Sequence, residues 1–82
     1  MNIHTEIEHL DRLVRAARTL EELADMDQSY SETELASFCR HGRRYARRAR
    51  LKRRGAARLR RSAARLARRL AKYLEASYVP IV

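Results

Sequence analysis

Apolar residues recur at three- and four-residue steps near the start of the chain, as on one face of an amphipathic helix. This stripe consists of Ile7, Leu10, Leu13, Val14, Ala17, Leu20 and Leu23. Thr5–Glu8 forms a capping box, in which a Thr hydroxyl and a Glu carboxylate satisfy free backbone N–H groups. We therefore predict a first helix over residues 5–27, and a second such box at Thr19–Glu22 allows a kink there.

A polar linker, residues 28–31, interrupts this apolar pattern. A third capping box, Ser31–Glu34, follows and predicts that a second helix covers residues 32–76. The apolar tail, residues 77–82, contains Pro80, so the helix should end before it.

The second helix keeps an unbroken alternation of three- and four-residue steps for six heptads, which is typical of a coiled coil. We call the side chains at these positions the seam. Its members are Leu35, Phe38, Gly42, Tyr45, Ala49, Lys52, Ala56, Leu59, Ala63, Leu66, Leu70, Tyr73 and Ser77. Small alanines alternate with leucines along it, so the seam is suited to close packing against another helix.

Gly42 and Gly55 are the two positions at which the second helix could break, because glycine is common just after helix ends. Neither is followed by a good N-cap, and the seam keeps its phase across both, which favours one continuous helix. The predicted fold is all-α, with a short acidic helix packed antiparallel on a long Arg-rich helix as a helical hairpin. A break at Gly55 would instead give a three-helix bundle.

A continuous second helix of about 45 residues would be about 67 Å long, twice the length of the first. Half of its seam would then have no cover within the chain, and exposed leucines require a partner. We therefore predict a homodimer and a protein interface formed by Leu59, Ala63, Leu66 and Leu70.

Length and composition limit the class of protein. A chain of 82 residues forms one small domain with a thin core, and its abundance of Ala, Leu, Arg and Glu favours helix. The single cysteine, Cys39, excludes an intramolecular disulfide. No apolar run is long enough for a signal peptide or a membrane span, so we expect a cytoplasmic location.

Charge is divided unequally along the chain. Residues 1–39 carry nine acidic and three basic side chains, a net charge of −6, whereas residues 40–82 carry sixteen basic and one acidic, a net charge of +15. The acidic half can neutralise only part of the basic half. The remaining charge of +9 must therefore face solvent or an acidic partner.

Most of the basic residues are arginines, whose guanidinium groups bind phosphate through paired hydrogen bonds. Helical winding places them on nearly every side of the second helix except the seam. We predict a regulatory protein that binds the phosphate backbone of DNA or RNA with little sequence specificity. The predicted contacts are Arg43, Arg44, Arg47, Arg48, Arg50, Arg53, Arg54, Arg58 and Arg61.

Catalysis is not expected, because the chain contains neither a Gly-rich phosphate loop nor a nucleophile, base and acid at recognisable spacing. Its three histidines and Cys39 do not match zinc-site spacings, so we expect no metal or cofactor. Two other functions remain open. One is a helical inhibitor or adaptor, of the type found in phages or mobile elements, that docks on a host protein. The partner in that case could be an acidic protein. The other is an amphipathic helix that lies on anionic lipid. This function is less favoured, because few aromatic residues flank the leucines.

Overall fold

The computed structural model describes residues 2–36 and 41–77, which form two helices. Helix α1 spans Ile3–Ala36 and helix α2 spans Gly42–Ser77, and they pack against each other in antiparallel directions as a helical hairpin. The predicted all-α hairpin is confirmed. Helix α2 passes through Gly55 without a break, so the three-helix alternative is wrong.

The start of α1 differs from the prediction. The Asn2 side-chain oxygen accepts hydrogen bonds from the backbone N–H groups of His4 and Thr5, at 3.1 and 3.3 Å. Asn2 is therefore the residue that caps the helix, and Thr5 lies inside the first turn. Asparagine is at least as good an N-cap as threonine, which explains why the earlier residue is used.

The other two capping boxes do not start helices. The Thr19 hydroxyl donates to the carbonyl of Arg15 at 3.0 Å, a bond that Ser and Thr commonly form inside a helix. The Ser31 hydroxyl donates at 2.7 Å to the carbonyl of Gly42 on the other helix. The predicted linker at 28–31 is therefore wrong, because α1 runs through it to Ala36.

The chain consequently reverses direction later than predicted, and the two helices are nearly equal, with 34 and 36 residues. The first helix is not short, and the second does not begin at residue 32. Some predicted features lie outside the part that the structure describes. They are the seam side chain of Leu35, the residues Phe38 and Cys39, and the tail after Ser77.

The seam of α2 is confirmed from Gly42 to Leu70, where its members are buried or half-buried against α1. The opposing line on α1 repeats every seven residues at Ile3, Leu10, Ala17, Ala24 and Ser31. Two residues of the predicted α1 stripe, Ile7 and Leu23, are exposed because they lie on the flanks of this line.

Because α1 is almost as long as α2, it covers the half of the seam that was predicted to have no partner within the chain. Leu66 is 2% exposed, Ala63 and Leu70 are also buried, and Leu59 is half-buried. These four residues therefore contact α1 in the folded hairpin. The reason for predicting a protein interface and a homodimer at this surface is removed.

Candidate nucleic-acid interface

Three basic side chains of α2 are neutralised by acidic side chains of α1. Lys52 donates to the carboxylate of Asp27, which is buried within the contact between the helices. Arg53 contacts Asp25 at 3.2 Å, and Arg60 contacts Glu21. These pairs lie along the line where the two helices meet, so they hold the hairpin together and have little capacity left for a ligand.

The pair formed by Arg60 and Glu21 has a forked geometry. The Nε atom of Arg60 lies 3.1 and 3.0 Å from the two carboxylate oxygens of Glu21, and a terminal nitrogen of Arg60 also contacts the carboxylate. The hydrogen bonds that Arg60 donates to the Glu21 carboxylate lower the pKa of Glu21 and raise the pKa of Arg60. Both groups are therefore held in their charged forms at neutral pH.

The side of α2 turned away from α1 carries a continuous basic surface, which we call the outer face. Its cations are all exposed and form no ion pair with any residue that the structure describes. The sequence contains no acidic residue between Arg43 and Lys72, a length of about 44 Å along the helix. The outer face consists of Arg43, Arg44, Arg47, Arg50, Arg54, Arg58, Arg61, Arg65, Arg68 and Lys72.

The structure separates the nine predicted arginines into two groups. Seven lie on the outer face, namely Arg43, Arg44, Arg47, Arg50, Arg54, Arg58 and Arg61. Arg53 is instead paired with Asp25, as described above. Arg48 lies on a flank with its guanidinium carbon 5.6 Å from the ring centroid of Tyr45, which also contacts the ring of Tyr30.

Four cations were missed by the sequence prediction. Arg65, Arg68 and Lys72 extend the outer face, and the exposed Arg69 lies on the same flank as Arg48. The signal for Arg68 was available, since it follows Arg47, Arg54 and Arg61 at the same seven-residue step. The prediction stopped at Arg61 because it followed the local crowding of arginines rather than their phase.

The outward side of α1 is different in character. Arg12 lies 3.6 Å from Glu8 and Arg15 lies 2.9 Å from Asp11, each pair one helical turn apart. Charges of both signs are therefore interspersed along this side, whereas the outer face of α2 is entirely cationic. The hairpin has one strongly basic side and one mixed side, so it can engage a polyanion from one direction.

The described part of the chain carries neither a membrane-spanning helix nor a cluster of metal ligands. Neither described helix is long and apolar enough to span a bilayer. The side chains within 2–33 and 41–76 include no group of three or more His, Cys, Asp or Glu placed to hold a metal ion. The apolar side of α2 that suggested lipid binding is covered by α1.

Comparison with known protein families gives a match that covers both helices. The model of the adenoviral core protein VII family matches residues 1–80. The chain belongs to this family. No curated protein and no solved structure matches the chain. Membership of the adenoviral core protein VII family is consistent with nucleic-acid binding, and the predicted cytoplasmic location stays a prediction.

Proposed function

We propose that this chain binds duplex DNA through the outer face of α2 and packs it by neutralising its phosphates. The observation that carries the proposal is the row of ten exposed cations along one side of α2, none of which forms an ion pair with a described residue. The family name also supports it, since it describes a protein of a viral core, the part of a virus that encloses its genome.

The density of charge fits a packaging role. A duplex carries one negative charge per about 1.7 Å, or about 26 charges over the length of the outer face. Ten cations would neutralise more than a third of them from one side of the duplex. Further hairpins could bind the remaining sides, so that binding along the duplex reduces its net charge without a unique site.

The outer face is suited to holding phosphates rather than to reading bases. Helix α2 contains no Asn or Gln, the side chains that pair with adenine edges in the major groove. Arginines in excess mainly fix position on the backbone, which carries no sequence information. We expect the affinity to vary little between duplexes of equal length and different sequence.

The alternative of docking on a host protein loses the surface on which it rested. It required the Ala and Leu side chains of the seam, and these contact α1 in the hairpin. A regulatory role and a homodimer stay predictions, and neither is needed for phosphate binding by the outer face.

The experiment is a salt titration of the full chain on a short fluorescent duplex, followed by anisotropy. Log affinity should fall linearly with log salt concentration, with a slope that reports several phosphate contacts. Polyglutamate provides the control, because it offers carboxylates without the phosphate spacing of a duplex. An affinity that does not depend on salt, or that is equal for polyglutamate and DNA at the same charge concentration, contradicts the proposal.

A further inference from the structure

Leu51 is an apolar side chain within the basic outer face. It is 54% exposed, and it is the one bulky apolar residue among the exposed positions of α2 between Arg43 and Lys72. Residues three and four positions apart are neighbours on a helix surface, so Leu51 lies beside Arg47, Arg48 and Arg54. Arg47, Arg50 and Arg54 line a shallow depression together with Leu51.

The surroundings of Leu51 distinguish it from an ordinary exposed leucine, which needs no explanation by itself. Its fourth neighbour is Gly55, which has no side chain. Arg44 and Arg58 lie seven residues before and seven residues after Leu51, so each is about 10.5 Å away along the helix axis. An apolar side chain is thus exposed among arginines that lie before and after it along the helix.

We propose that Leu51 is a wedge that enters the minor groove of duplex DNA and partly unstacks a base step. The inference rests on the proposed function, because the arginines must first hold the duplex against α2. Leucine is one of the side chains with which proteins unstack base steps from the minor groove, and such insertion kinks the duplex by about 20–90°. In this arrangement Arg44 and Arg58 hold phosphates on the two sides of the opened groove.

The chemistry of the duplex determines where the wedge acts. Pyrimidine–purine steps such as TA unstack most readily, and narrow minor grooves attract arginine through their negative potential. Flexible steps therefore set where along a B-form duplex the wedge inserts, while the arginines supply most of the affinity for any sequence. Insertion of this kind kinks the duplex toward the major groove, and bent DNA suits a protein that packs DNA.

The experiment uses the full chain and a duplex with 2-aminopurine at a central TA step and a fluorescent donor and acceptor at its ends. Wild-type protein should raise the 2-aminopurine fluorescence, which reports unstacking, and the energy transfer, which reports bending. Leu51→Ala should abolish both changes while its affinity falls by less than about tenfold and its salt slope is unchanged. Leu51→Met, which keeps an apolar side chain of similar size, should retain both changes.

Leu74→Ala is the matched control, because Leu74 is also 54% exposed on α2 but lies beyond Lys72, the last cation of the outer face. It should unstack and bend the duplex as the wild type does, and circular dichroism should show equal helix content in all variants. Unstacking by Leu51→Ala equal to that of the wild type, or its loss in Leu74→Ala, overturns the wedge. If the wild type binds with a steep salt slope but does not unstack the step, the wedge fails and phosphate binding stands. If it does not bind DNA at all, the proposed function fails first.

Discussion

The hydroxyl of Ser31 donates a 2.7 Å hydrogen bond to the backbone carbonyl of Gly42, joining the last part of α1 to the first turn of α2. Ser31 is 1% exposed and belongs to the line of α1 residues that faces the seam. The bond lies near the end of the hairpin where the chain reverses. It therefore helps to set the register in which the two helices pack.

Replacing Ser31 with Ala should destabilise the hairpin, because this buried hydrogen bond is lost. We expect a loss of about 1 kcal/mol in the free energy of unfolding. Urea denaturation followed by circular dichroism measures it. Ser29→Ala is the control, since Ser29 is exposed on α1, and an equal loss in the two variants would contradict the role of Ser31.

The pair formed by Asp27 and Lys52 should behave as a partly buried ion pair. Asp27→Ala leaves the half-buried Lys52 ammonium without its partner, and should cost about 1–3 kcal/mol in the free energy of unfolding. Replacing both residues with Leu removes both charges, so the double variant should recover most of this loss. A double variant that is no more stable than Asp27→Ala in urea denaturation would be inconsistent with this pairing.

The ion pair of Glu21 and Arg60 predicts a dependence of stability on pH. Because the folded-state pKa of Glu21 is lowered by Arg60, its contribution is present above the ordinary value of 4.5 and is lost as pH falls through the folded-state value. The stability difference between wild type and Glu21→Gln should therefore be constant near neutral pH and disappear in acid. Denaturation at several pH values measures this stability difference, and an NMR titration of the Glu21 carboxyl carbon measures the lowered pKa. A stability difference that grew in acid would contradict the predicted direction.

Gly55 lies inside α2, and a Cβ atom built there would be 3.3 Å from Cδ1 of Leu20. Leu20 is half-buried and its side-chain end can move by a few tenths of an ångström. Gly55→Ala should therefore gain about 0.5–1 kcal/mol of stability from helix propensity. Gly55→Leu should be destabilising, because its larger side chain would push the helices apart. Thermal unfolding of the two variants tests this, and a destabilising Gly55→Ala would show that close approach outweighs propensity.

The faces of α2 were predictable from sequence because helical periodicity is local. The three- and four-residue steps assign Ala49, Ala56 and Leu66 to one side without any knowledge of what covers them. The same steps kept the nine predicted arginines off the seam, and the structure places seven of them on the outer face. These predictions needed only the winding of a single helix.

The position at which the chain reverses could not be found in this way. Asp27 was assigned to the last position of the first helix, and Ser31 was assigned to the linker and the cap of the second. Their partners Lys52 and Gly42 lie on the other helix. Lys52 gave an indirect signal, since a lysine within an apolar seam requires an acid opposite it. Recognising that acid as Asp27 would have favoured a helix that continues through residues 28–31.

Arg53 and Arg54 show the limit for the site itself. They are adjacent arginines in the same charged stretch, yet Arg53 contacts Asp25 and Arg54 is exposed without an ion pair among the described residues. Only the side on which α1 presents its acids distinguishes them, and this depends on the packing of the hairpin. Their different roles therefore required the structure.

The same contrast provides the most direct test of the proposed DNA-binding face. Arg54→Gln/Arg61→Gln removes two outer-face cations, and Arg53→Gln/Arg60→Gln removes two cations one residue earlier that are paired with Asp25 and Glu21. Both variants lose two positive charges. A difference between them in the slope of log affinity for duplex DNA against log salt therefore reports lost phosphate contacts and not lost net charge. The account predicts that the outer-face pair lowers the slope by about 1.8, from about 0.9 per phosphate contact, and that the other pair leaves it nearly unchanged. Equal slopes for the two variants would contradict binding through the outer face of α2.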